Sequence, residues 1–340
     1  MIRPKFYTNG EEIKQMEMNL NKSPEMKVIN CTQYQADEIN KIKENDSMNF
    51  PCKRMDIIQI GTRADSDAYV RQKIVQGQKA GATVVVHRFS FPEQVKLRKK
   101  VQTIRNLIME LNSNSSVHGI MVQLPMDDKE INKIVEREII DLIDPLKDVD
   151  CLTTTNLGKL YSGFPRFLPC TPAGIIEIFD NLNTFIGEDS DKYKNYLQGK
   201  KVLVIGRSHI VGKPLAYLLT DMNATVTLAH SYTPYLKESL WNYDVIITAA
   251  GKKNLIDVED FRRLNELTHV TPKAIIDVGI NRDEKGICGD VCRELYTDKE
   301  LQKHIEFATA TPGGVGRMTV LSLIRNLCKA KHEQDKTYVG

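Results

Sequence analysis

The sequence predicts an α/β protein of two domains, and three observations carry that reading. Lys201 to Thr233 runs apolar strand, glycine-bounded loop, helix, strand: a βαβ unit of about 30 residues. Apolar runs of strand length recur on both sides of it, separated by segments whose apolar residues repeat at helical spacing. A chain of 340 residues is also long enough for two such units, each with its own core.

Taken in order, residues up to about Asn49 are polar and weakly periodic, with a short helix expected over Glu11–Leu20 and a peripheral stretch after it. Met55–Ile60 is the first clear strand, closed by Gly61. Asp65 and Ser66 are N-cap candidates for a helix carrying Tyr69, Val70, Lys73 and Ile74. Thr83–His87 reads as a strand. Pro92 to about Asn112 reads as a helix whose stripe includes Val95, Val101, Ile104, Ile108 and Leu111. His118–Pro125 is a strand halted by proline. Its polar Gln123 sits near the carboxyl end, where open α/β sheets place ligands. A helix over Lys129–Ile143 leads to Lys147–Cys151. Thr171–Pro172 reads as N-cap and first position of a helix over Gly174–Leu182. Beyond the βαβ unit come strands Asp244–Ala250, Ala274–Ile280 and Glu306–Thr309. A glycine-rich turn, Thr311–Gly316, then opens a last helix from Met318 to about Lys331. The expected division is 1–160 and 161–317, with helix 318–335 returning to the first domain.

In the βαβ unit the strand Val202–Ile205 ends in Gly206, and Leu215, Leu218, Leu219 and Met222 recur at helical spacing. Gly206 suits a sharp turn, and the loop's N–H groups with the helix N-terminus suit a pyrophosphate. Gly206 and Gly212 do not match G-x-G-x-x-G, so this stretch alone fits either a dinucleotide turn or a plain βα turn. The end of the second strand shifts the balance. Sites selective for NAD place a carboxylate there. This chain has Ala229–Thr233 instead, without one, and Arg207 lies in the first loop. A cation with hydroxyl donors suits a 2′-phosphate, so NADP is favoured over NAD.

Composition narrows the alternatives. Net charge is +3 with 27% charged residues, which marks neither a nucleic-acid nor a membrane surface. The basic run Lys96–Arg105 reads as the wet face of a helix. Seven cysteines without a C-x-x-C pair or a nearby histidine cluster suggest free thiols in a reducing compartment and no metal site. No apolar run is long enough to span a membrane. The N-terminus lacks a secretory or transit pattern, so cytoplasm is the default, with an unusual organellar leader left open.

The ordered motifs resemble the methylenetetrahydrofolate dehydrogenase–methenyltetrahydrofolate cyclohydrolase family. They are Tyr69–Lys73, GIMVQLP at 119–125, KDVD at 147–150, PCTPAG at 169–174, GRSHIVGKP at 206–214, HSYT at 230–233 and PGGVG at 312–316. The resemblance implies a folate-binding domain and a Rossmann-like dinucleotide-binding domain flanking a cleft, and a homodimer. It also implies oxidation of 5,10-methylenetetrahydrofolate with NAD(P), then hydrolysis of the methenyl product to 10-formyltetrahydrofolate. Lys73 would be the base, with Gln123 holding it, Tyr69 stacking on the pterin and Asp150 accepting from the pterin's donor edge. Tyr69 and Lys73, four apart, share one helix face. Ser66 would support the pocket or cap its helix; Leu124, Pro125, Pro312, Gly313 and Gly314 would shape its wall. The cofactor set would be Gly206, Arg207, Ser208, Val211, Gly212, His230, Ser231, Thr233, Ala250, Gly251, Gly279, Ile280 and Thr319, with His230 structural rather than catalytic. Departures from the family pattern are Cys151, where a glycine is usual, and Ala310, Thr311 and Arg317 around PGGVG. A monofunctional dehydrogenase and a non-catalytic NADP-sensing protein are the competing readings.

Overall fold

The apolar runs form two parallel sheets in the computed structural model, which describes residues 26–338 apart from 50–52, 62, 127, 189–190, 263–272 and 285. First come β1 (Lys27–Ile29) and α1 (Thr32–Asn49). Then β2 (Lys53–Ile60), α2 (Ala64–Lys79), β3 (Ala82–Phe89), α3 (Leu97–Ser113) and β4 (Gly119–Val122) build a three-stranded sheet in the order β3-β2-β4. After it lie α4 (Lys129–Ile134), α5 (Thr154–Tyr161) and α6 (Cys170–Asp180). The second sheet draws on β5 (Lys201–Ile205), then α7 (Gly212–Asp221), β6 (Thr225–Ala229), β7 (Val245–Thr248) and β8 (Ala274–Asp277). A small hairpin, β9 (Asn281–Asp283) and β10 (Gly286–Cys288), precedes β11 (Phe307–Thr309) and the long α8 (Val315–Tyr338).

The six-stranded sheet is all parallel, in the order β1-β11-β8-β7-β5-β6. Parallel sheets bury both faces, which is why these strands read as continuous apolar runs. Val202, Val204, Val245 and Ile247 point into one core, while Leu203, Ile205 and Ile246 point into the other. Strand order reverses between β5 and β7, and such a switch point opens a crevice at the carboxyl ends of the strands. In the smaller sheet Met55 and Ile57 face one way and Ile58 and Ile60 the other.

α8 ties the halves together. Met318, Leu321 and Ile324 enter a core of the six-stranded sheet, whereas Leu323 and Leu327 pack with Met55 and Ile57. Its close approach to α6 needs Gly174, where a Cβ would lie 2.8 Å from the backbone carbon of Met318.

Several expectations are corrected. Residues before 50 are not all peripheral: β1 pairs with β11 as an edge of the second sheet, so the described chain contributes to that sheet before building the first. Only Ile29 of its three residues is buried, which leaves no period to read. The helix expected over Glu11–Leu20 lies outside the described residues. α3 begins at Leu97, not Pro92, because a turn closed by Val95 N–H to the Pro92 carbonyl (3.0 Å) precedes it. Residues 129–143 change winding, from α to a π turn at Val135–Ile139 and a 3-10 turn at Ile140–Leu142. α6 starts at Cys170, which puts Thr171 and Pro172 in its first turn rather than at its cap. Likewise α2 starts at Ala64, so Ser66 is inside its first turn and does not cap it.

Candidate active site

A cavity of about 370 Å³ opens between the two sheets, and the first domain lines it with Tyr69, Lys73, Gln123 and Asp150. Tyr69 and Lys73 are one turn apart on α2, and both face the cavity. Lys73 is only 6% exposed. Its ammonium donates to Gln123 Oε1 at 2.8 Å, and Gln123 Nε2 donates to the Leu124 carbonyl at 2.7 Å. The second bond fixes which way the amide points, so its oxygen faces the lysine. Burial pushes the Lys73 ammonium below the usual lysine range, with the Asp150 carboxylate opposing. Burial also pushes the Tyr69 phenol up to about 12, against the pull of Arg317. Tyr69 is therefore a neutral ring at physiological pH.

Asp150 is positioned by the three residues before it. The Lys147 ammonium donates to the carbonyls of Leu111, Asn112 and Asn114 at 3.1, 2.7 and 2.8 Å. Asp148, 1% exposed, accepts from Thr153 N and Oγ1, Leu152 N and Asn156 Nδ2. These two charges clamp the turn that delivers Asp150 to the cavity. Cys151, next in line, has φ 59°, a left-handed conformation that costs a side-chain-bearing residue roughly 1–2 kcal/mol and explains why glycine is usual there. Its buried thiol donates to the Phe167 carbonyl at 3.2 Å. Cys170, between Lys73 and Asp150, is a cavity residue that the sequence reading missed; burial and Asp150 push its thiol well above the ordinary range.

The second domain supplies the opposite wall, including Val211, Gly251 and Ile280, while Thr319 comes from α8. The loop after β5 is tightly folded. Gly206 has φ +135°, and a Cβ there would lie 2.2 Å from the Ala249 carbonyl oxygen. A Cβ on Gly212 would lie 1.8 Å from the Gly206 oxygen. No side chain fits at either place, and the backbone is left bare for a close approach by a ligand. Ser208 turns out to close the loop, because its Oγ accepts from Val211 N (3.2 Å) and Gly212 N (3.4 Å). Arg207 is exposed, 5.7 Å over the Tyr232 ring. His230 and Thr233 hold the turn after β6: the His230 N–H donates to Thr233 Oγ1 at 2.9 Å, and His230 Nδ1 accepts from Tyr232 N–H at 3.2 Å. Ser231 is exposed in that turn, and Ala250 is exposed after β7.

Not every expected residue reaches the main cavity. Leu124 and Pro125 do, and Ser66 does, its Oγ 3.4 Å from the Pro125 carbonyl. Pro312, Gly313, Gly314 and Gly279 instead line an adjoining chamber of about 160 Å³ on the other side of Tyr69.

Two buried carboxylates were not anticipated. Asp290, 0% exposed, accepts from the N–H groups of Ala250, Gly251 and Lys252 at 2.7, 3.0 and 2.7 Å. Asp277 accepts from Thr248 Oγ1 and from the N–H groups of Gly279, Asp290 and Val291, and burial pushes it up to about 6. Together they pin the loops that form the second domain's wall.

Comparison with known proteins decides what this arrangement belongs to. Residues 26–150 match the tetrahydrofolate dehydrogenase/cyclohydrolase catalytic domain, and residues 169–335 match the NAD(P)-binding domain of the same family. The chain belongs to the tetrahydrofolate dehydrogenase/cyclohydrolase family. It is 36% identical over 303 residues to the Bifunctional protein FolD of Streptococcus thermophilus, covering 89% of this chain and 94% of that one. The bifunctional methylenetetrahydrofolate dehydrogenase/cyclohydrolase of Campylobacter jejuni superposes with TM-score 0.72 at 31% identity, covering 91% of this chain and 99% of that one. The Trypanosoma brucei dehydrogenase-cyclohydrolase, solved with NADP cofactor and inhibitor, gives 0.75 at 28% identity, covering 92% and 99%. The two-domain α/β architecture is thus that of a folate one-carbon enzyme.

Proposed function

We propose that this chain oxidises 5,10-methylenetetrahydrofolate to the 5,10-methenyl form with NADP and hydrolyses that product to 10-formyltetrahydrofolate. The observation that carries the reading is the buried Lys73 amine, held by Gln123 in a cavity that also contains Tyr69 and Asp150. NADP, when bound, supplies the hydride acceptor. The bare turn at Gly206 and Gly212 fits a pyrophosphate, and Arg207 at the mouth, with no carboxylate in Ala229–Thr233, fits a 2′-phosphate.

For the oxidation the chain's task is positioning: Tyr69 offers a ring face for the pterin, and Asp150 accepts from its donor edge. Loss of hydride leaves a cationic methenyl carbon. Burial disfavours the charged form of Lys73, so it gives up its proton more readily than a free lysine, and the amine so formed has a lone pair. Water adds to the methenyl carbon and gives its proton to Lys73. Collapse then breaks the bond to N5, N5 takes up a proton, the formyl group stays on N10, and one proton is released net. Gln123 keeps the amine aimed throughout.

The direct test is spectroscopic. Protein with methylenetetrahydrofolate and NADP should build methenyl absorbance, and added methenyl compound should decay faster than in buffer. Absence of both would overturn the reading; absence of accelerated decay alone would leave a monofunctional dehydrogenase. Arg207→Ala is expected to raise the KM for NADP roughly tenfold while leaving that for NAD within twofold, measured by initial rates with each. Equal shifts would remove Arg207 from the 2′-phosphate site.

A cytoplasmic homodimer is part of the same reading. It accords with the family and with the six described cysteines, which form no disulfide. No helix among the described residues is long and apolar enough to cross a membrane.

A further inference from the structure

Lys53 takes no part in the chemistry described so far, yet at 1% exposure it is among the most deeply buried side chains. It opens β2, whose alternate residues face opposite ways. Lys53 therefore points with Met55 and Ile57 towards the core that Leu323 and Leu327 of α8 enter. Cys328 directly follows Leu327 on that helix. The two side chains meet: the Lys53 nitrogen is hydrogen-bonded to the Cys328 thiol, and no carboxylate among the described residues acts on it.

A buried ammonium without a carboxylate is costly, and so is a buried thiolate. Burial accordingly lowers the lysine from its usual range and raises the thiol from its own, while each partner draws the other part of the way back. Lys53 thus gives up its proton more readily than a free lysine, and the amine so formed lies against sulfur. Cys328 is also set apart by exposure. Cys31, Cys151, Cys170, Cys288 and Cys292 are buried, whereas Cys328 is partly exposed. Among the described thiols it is the one most open to a small oxidant.

We propose that Cys328 and Lys53 form a site of reversible oxidative modification by peroxide, in which a sulfur–nitrogen bond joins α8 to β2. The thiol attacks one peroxide oxygen, the O–O bond breaks, and Cys328 becomes a sulfenic acid as water leaves. The Lys53 amine then attacks that sulfur. The sulfenic hydroxyl departs with a proton from nitrogen as a second water, and a sulfenamide remains, as when a sulfenic acid condenses with a backbone nitrogen. Sulfur loses two electrons in all, and peroxide gains them. A thiol reductant reverses the link: its sulfur attacks Cys328, the amine leaves, and a second thiol frees Cys328 from the mixed disulfide. The reacting side chains are already in contact, so the bond forms without rearrangement of the fold. It fixes α8, which carries Thr319 to the cavity, to the first sheet.

The test treats the folded protein with hydrogen peroxide, removes the excess with catalase, and maps its peptides by mass spectrometry without reductant. The expected product is a peptide containing Lys53 joined to one containing Cys328, lighter than their sum by two hydrogens and separated by dithiothreitol. The oxidised protein should melt roughly 5 °C above the reduced one and lose that gain on reduction. Lys53→Met should give neither the link nor the gain. Cys328 recovered as sulfinic acid or as a mixed disulfide, with Lys53 unmodified, would overturn the proposal. So would Cys328 left as a thiol at peroxide doses that oxidise the other cysteines.

Discussion

Replacing Lys73 with methionine is expected to lower methenyl hydrolysis by about 10²–10⁴-fold, the usual contribution of a positioned acid–base group. Oxidation of the methylene substrate should fall much less, because that step depends on how substrate and nicotinamide are held. The variant mixed with methylenetetrahydrofolate and NADP would then build methenyl absorbance that persists. Unchanged decay in Lys73→Met or Lys73→Ala would show that the base is elsewhere. In the wild type, hydrolysis should rise with pH along a limb set by this amine, and that limb should lie below the ordinary lysine range because burial depresses the group.

The same substitution carries a stability consequence of definite sign. The folded-state pKa of Lys73 lies below its unfolded value. Between the two values the unfolded chain binds more protons, so stability rises with pH there, up to about 10.4, the unfolded lysine value. Below that window the folded protein carries the full cost of a buried ammonium. Lys73→Met removes that cost, and its Tm at neutral pH is expected to exceed that of the wild type, with the gap closing towards pH 10. The loss of the bond to Gln123 offsets part of the gain, on the order of 1 kcal/mol. A lower Tm at neutral pH would mean that the lysine is stabilising where it stands.

Asp290→Ala is expected to have the largest effect on the second domain. It removes the acceptor of three consecutive backbone N–H groups and of Asn281 Nδ2, which donates to Asp290 Oδ1 at 2.9 Å. Each stranded buried donor costs about 1–3 kcal/mol, but Ala250, Gly251 and Lys252 lie at an exposed edge where water recovers part of that. A net loss of about 3 kcal/mol is expected, or a fall in Tm of roughly 6–12 °C. The kinetic signature separates the two activities. The second domain's wall of the cavity loosens, so KM for NADP is expected to rise and kcat for oxidation to fall, while hydrolysis of added methenyl compound, which needs no NADP, is largely kept. Parallel loss of both activities would show a general structural role instead. Asp290→Asn, which keeps one acceptor oxygen, should fall between.

Much of this site was legible because its signals are local. Tyr69 and Lys73 are four residues apart, so helical geometry alone puts them on one face. Gln123 is a polar residue at the carboxyl end of a buried strand, and its bond to Lys73 follows from where that strand meets α2. Gly206 and Gly212 mark a turn with no room for a Cβ. Ser208 shows what such reasoning leaves out: its oxygen closes the loop by taking two backbone N–H groups, while its own hydrogen remains to be donated. The element starts at Leu97 and Cys170 were missed for a related reason: prolines permit both a turn and a first helical turn, and only the neighbouring backbone decides.

The sequence by itself determined the α/β class, the βαβ unit, the shared helix face of Tyr69 and Lys73, and the family. All of these rest on periodicities of two and 3.6 residues and on short motifs. Tertiary structure alone decided the rest. β1 belongs to the second sheet because its partner, β11, is some 280 residues away in sequence, and three residues carry no period. Asp277 and Asp290 look like any other acids until the fold buries them beneath backbone N–H groups from distant loops. Arg317 was readable only as a departure. That it lines a chamber beside Tyr69 comes from α8 placing Gly316 against the Tyr69 hydroxyl. Spacing along a chain encodes which side chains share a face; which faces meet is fixed only when the whole core packs.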